Sequence, residues 1–176
     1  LRINKVYSEG LQYDYSSESA WLEAITEALK ALTARHKLSG AATVIIPGDQ
    51  LLTKTIRIPQ VAEQKRKQII AFEAQQSIPY ALDEVVWDSQ VVGDDGIETE
   101  VLFIACKADT INGLCDGLSA SSLQVEAVSA ATILDYNSLQ YSEVELNQDL
   151  LSVNIGARST NLLFANANGF FARNIA

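Results

Sequence analysis

"RIPQVAEQKRKQIIAFEAQQSIPYALDEVVWDSQVV", residues 57–92, reads as strand, helix, loop and strand. Pro59 ends the strand "LLTKTIRIP" (51–59), because proline lacks the N–H that a strand ladder uses. From Glu63 to Ser77 the residues are helix formers throughout, with Ile69, Ile70, Phe72 and Ala74 as the side to be buried. Pro79 stops this helix. Lys65, Arg66 and Lys67, following Glu63, read as a solvated helix face in preference to a contact for anionic lipid headgroups or an acidic partner.

On the C-terminal side, "EVVWDSQVVG" (84–93) and "ETEVLFIACK" (98–107) are two strands, and Asp94, Asp95 and Gly96 between them have the chemistry of a hairpin turn. In the second strand Val101, Phe103 and Ala105 alternate with Leu102, Ile104 and Cys106, so both faces are apolar and the strand belongs at the centre of a sheet. Ile111, Leu114, Cys115 and Leu118 then mark a helix by i, i+3, i+4, i+7 spacing. "LQVEAVS" returns as a strand, residues 130–140 read as helix, and strands follow at 150–155, 161–166 and 170–175, the last two joined at an Asn168, Gly169 turn.

On the N-terminal side, "AATVIIPGDQ" (41–50) is a short buried strand closed by Pro47 and Gly48. Before it, Trp21, Leu22, Ile25, Ala28, Leu29 and Leu32 predict a helix that ends near Lys37, with Ser17 or Ser19 as N-cap. Residues 2–15 alternate loosely and read as one or two strands turning at Glu9 and Gly10. Strand, helix, strand, strand, helix, strand between 51 and 128 make an α+β unit set between two flanking pieces, 1–50 and 129–176.

A chain of 176 residues that is 48% apolar can bury a core, and it has no apolar run long enough to span a bilayer as a helix. Its start resembles no export signal, which predicts a cytoplasmic protein. The net charge of -9 argues against nucleic acid as a partner, since phosphate contacts need a concentrated basic surface. The absence of methionine, even at position 1, fits either an internal piece of a longer polypeptide or a sequence that has lost its methionines.

Catalytic chemistry lacks its parts. His36 is the sole histidine and stands at the polar end of the first helix, with no Ser or Cys motif beside it, so it is read as a solvated helix-end residue. Cys106 and Cys115 read as small core residues, and no His, Cys or carboxylate cluster has metal-ligand spacing. The remaining candidate is the turn after Val153: Asn154, Gly156, Ala157, Arg158, Ser159 and Thr160. A glycine beside successive turn N–H groups and two hydroxyls can cradle an anion, but by itself this pattern is better explained by an ordinary hairpin, since many hairpins contain Gly, Ser and Thr.

The linked residues Pro59, Ile70, Phe72, Glu73, Gln76, Ile78, Pro79, Tyr80, Leu82, Asp83, Glu84 and Val85 resemble the signature region of the PilM family, actin-like proteins of bacterial type IV pilus assembly. The resemblance continues through "EVLFIACKADTINGLCDGLSASSLQVEAVS" (100–129) and "LLSVNIGARSTNLLFANANGFFARNIA" (150–176), and so covers about residues 41–176. It implies a mixed α+β or α/β, actin-like fold of the ribonuclease H type. Residues 1–50 would belong to subdomain 1A, 51–128 to the inserted subdomain called 1C in the FtsA and PilM proteins, and 129–176 to the return to 1A and the start of the second lobe.

The same resemblance makes 154–160 a phosphate-2 hairpin of a nucleotide site, with ATP and Mg²⁺ expected in an intact parent and neither for this chain alone. Asn154 stands where the family carries Asp, and the first phosphate loop and late adenosine motif have no counterpart here, which points away from turnover and toward an adaptor. The implied partner is the cytoplasmic tail of a PilN-like inner-membrane protein, held in a groove between the 41–58 strands and the 61–77 helix. Self-association is a further implied contact, and the protein would lie at the inner membrane face through its partners. The competing expectations are an actin-like ATPase or kinase completed by a missing lobe, an FtsA-like division protein, and a GspL-like secretion scaffold.

Overall fold

The computed structural model describes residues 3–14, 17–142, 148–156, 158–166 and 169–175. Residue contacts divide the chain into two compact units, Leu1–Val44 with Asp109–Val128, and Ile45–Ala108 with Ser129–Ala176.

The first unit is built on α1 (Glu18–His36) and α3 (Ala108–Ser119), with β1 (Gly40–Ile46) pairing β5 (Leu123–Ala130). Ser17 caps α1, its Oγ accepting from the Ala20 N–H at 3.2 Å, and Lys37 closes the helix in the left-handed region at φ 54°. The helices cross closely because α3 presents glycine to α1. A Cβ at Gly113 would stand 2.8 Å from Leu22 Cδ1, and one at Gly117 would stand 2.6 Å from Thr26 Oγ1. Residues 3–14 form neither of the strands expected over 2–15. Ile3 and Val6 remain exposed, and alternation makes a strand only where another strand supplies its hydrogen bonds. Tyr7 instead stacks on His36 with ring centroids 3.9 Å apart, and Glu9 pairs with Arg35 at 3.1 Å.

The second unit contains β2 (Leu52–Pro59), α2 (Glu63–Ser77), β3 (Val85–Asp94) and β4 (Glu98–Lys107), with an antiparallel sheet of order β2-β4-β3. β4 is central, as its apolar faces require. α2 packs on one side, where Ile56, Ile58, Ile70, Ala74, Val101 and Phe103 share a core. Phe72, expected on that side, is 64% exposed, because on a helix of 3.6 residues per turn it projects from the face opposite the core-facing Ile70 and Ala74.

The β3–β4 turn follows its acidic residues. Asp95 Oδ1 accepts from the N–H groups of Glu98 (2.7 Å) and Ile97 (2.9 Å), Asp94 Oδ1 accepts from Gly96 N–H (2.9 Å), and Gly96 takes φ 86°. These bonds, Glu98 first, hold the Asp95 carboxyl below its ordinary range.

On the other side of β4 lies the meander β6 (Leu150–Ile155), β7 (Thr160–Asn166), β8 (Gly169–Ile175). Leu163, Ala165, Phe170 and Ala172 bury Leu102, with Ile133, Tyr136 and Leu139 of α4 (Ala131–Tyr141) packed against them. Asn168 of the expected β7–β8 turn lies outside the described residues. The contact division also differs from the 51–128 boundary read from sequence: β2, α2, β3 and β4 fall in the second unit, while α3 after Ala108 and most of β5 fall in the first. The small residues of α3 select α1 as neighbour, which strand order along the chain does not reveal.

Candidate functional site

The strands β6 and β7 position the turn of interest. Gly156 N–H donates to the carbonyl of Ser159 at 2.9 Å, so the turn closes on itself. A Cβ at Gly156 would meet that same carbonyl oxygen at 3.1 Å, which accounts for glycine at this place. Asn154 Nδ2 donates to the Asp135 carboxylate of α4 at 3.2 and 3.3 Å. Arg158 reaches Asp49, with Nη1 3.7 Å from Oδ2. Ser159 and Thr160 are half-buried beside them, and Ala157 lies outside the described residues.

Register extends this cluster across the sheet. Asn154 stands opposite Asn161, and Asn161 opposite Asn174, forming one row over β6, β7 and β8. The Oδ1 atoms of Asn161 and Asn174 are buried, with no hydrogen-bond partner among the described residues. Gly48 is packed on this row so tightly that a Cβ there would lie 2.7 Å from Asn161 Cγ. The structure thus brings together five of the six residues singled out from sequence and adds Asp135, Asp49, Asn161 and Asn174. The added residues carry no local motif, since their proximity depends on strand register and on where α4 lands.

As a cradle for a nucleotide phosphate with Mg²⁺, these groups do not fit in the arrangement observed. The Gly156 N–H, the Asn154 amide and the Arg158 guanidinium are each directed at a group of the protein itself. Among the described residues no cluster of three or more His, Cys, Asp or Glu could hold a metal.

β2 and α2 pack directly on one another through Ile56, Ile58, Ile70 and Ala74. A groove of about 500 Å³ lies elsewhere in the second unit, between β3 and α4. β3 is an edge strand, and Asp88, Gln90, Ile104, Ile133, Tyr136 and Phe170 line the space beside it. Tyr136 and Phe170 stack with centroids 4.2 Å apart and form an aromatic floor. An edge strand above an apolar floor can accept an extended peptide by main-chain bonds, with alternate side chains entering the floor. His36 makes its ring contact with Tyr7 in the first unit. Cys106 is buried and Cys115 half-buried, and neither is in a disulfide.

The family model described as type IV pilus assembly protein PilM matches residues 1–175. The chain belongs to this PilM family. Among solved structures it is similar to the "PilM-PilN type IV pilus biogenesis complex", at 18% identity and a TM-score of 0.74, covering 86% of this chain and 47% of that one. It is also similar to the cytoplasmic domain of EpsL, an inner-membrane component of the type II secretion system of Vibrio cholerae, at 12% identity and a TM-score of 0.56, covering 87% of this chain and 56% of that one. The mixed α/β, actin-like fold is therefore common to all three, and the chain spans about half the length of the solved structures it matches. No helix among the described residues is long and apolar enough to cross a membrane.

Proposed function

We propose that this PilM-family chain is part of a non-enzymatic scaffold of type IV pilus assembly, and that it docks the cytoplasmic tail of a PilN-like inner-membrane protein along β3. The observation that carries this reading is the groove between the edge strand β3 and α4, apolar at its floor and open along a strand edge. The tail would bind extended, its backbone pairing with β3 and its apolar side chains resting on Ile104, Ile133 and Tyr136. Docking of this kind would hold the protein at the inner membrane face from the cytoplasmic side. In this reading the β2-β4-β3 sheet with α2 is the core of the 1C-like subdomain, and the 154–160 turn is a degenerate phosphate-2 hairpin whose donors serve the fold.

A synthetic PilN-like tail peptide, titrated by calorimetry into the full-length parent, tests this proposal. Asn137, exposed on α4, also lines the groove, and Asn137→Trp, which fills it from that side, and Tyr136→Ala, which removes its floor, should each weaken binding by about tenfold or more. Unchanged affinity in the folded Asn137→Trp protein would remove the peptide from this groove. The likeness to the EpsL cytoplasmic domain favours a second reading, a GspL-like secretion scaffold on the same fold. Recovery of a type II secretion membrane protein, in place of pilus proteins, from detergent-solubilised cells would decide for it.

A further inference from the structure

We draw no further inference here: the strongest candidate, the open apolar face of the β6-β7-β8 meander that carries Leu151, Val153, Phe164 and Phe171, carries nothing because nothing in the structure shows what covers it.

Discussion

The side-chain amide of Asn154 on β6 donates to the carboxylate of Asp135 on α4, at 3.2 Å to one oxygen and 3.3 Å to the other. An amide at position 154 therefore satisfies a carboxylate that a second carboxylate would oppose.

Asn154→Asp is expected to destabilise the protein at neutral pH by about 0.5–1 kcal/mol, a modest amount because the pair is solvent-facing. Two adjacent carboxylates raise the folded-state pKa of one of them, so the penalty is present at pH 7 and fades as acidification protonates that group. Thermal melts of parent and variant at pH 7 and pH 4 would show the gap closing. A gap that stays constant would mean that Asp135 does not feel position 154. Magnesium that restores the variant's midpoint, but leaves the parent's unchanged, would show that the two carboxylates can share a cation.

Asp95 gives a pH dependence of the opposite sign. Its folded pKa lies below the ordinary value of 3.8 because the Glu98 and Ile97 N–H groups bond the charged form. The stabilisation is complete above the unfolded value and is lost as pH falls through the folded one. Asp95→Ala should therefore cost stability at pH 7 and much less near pH 2, as read by urea denaturation. An equal cost at both pH values would contradict this account of the turn.

The crossing of α1 and α3 separates two glycine substitutions. Gly117→Val drives a branched side chain against Thr26 next to the helix backbone, and overpacking of this kind costs about 1–3 kcal/mol. Gly113→Ala meets only the end of the Leu22 side chain, which can turn away, so its cost should be smaller. Chemical denaturation of the two variants should rank them in that order.

Two phenylalanines on opposite sides of the α2 core should behave very differently. Phe103 is fully buried, and Phe103→Ala should cost about 3–5 kcal/mol. Phe72→Ala should stay within about 0.5 kcal/mol of the parent, since the ring is largely in water. A large loss at position 72 under denaturation would place that ring in a contact made by an assembled form.

Local pattern made most of the elements legible. α2 runs from Glu63 to Ser77 as its helix formers and Pro79 dictate, α1 begins behind a Ser17 cap, and the doubly apolar β4 is central in its sheet. What local pattern could not give was partnership. Residues 3–14 alternate like a strand but take no strand conformation, and α3 is drawn to α1 by Gly113 and Gly117, which a hydrophobicity scan passes over.

The candidate site divides in the same way. Gly156, Ser159 and Thr160 could be picked out along the chain. Asp135 and the Asn154, Asn161, Asn174 row could not, because the register of three strands and the docking of α4 bring them together.

β4 places Val101, Phe103 and Ala105 in the core beneath α2 and Leu102 in the core beneath the meander. One strand is thus a shared wall of two interiors, which couples their stability. Amide exchange along β4 should be the slowest in this unit, and its protection should vanish in a single cooperative step. A peptide that tightens the groove at Ile104 would then be felt on the far side of the sheet, at Phe103, without any moving hinge.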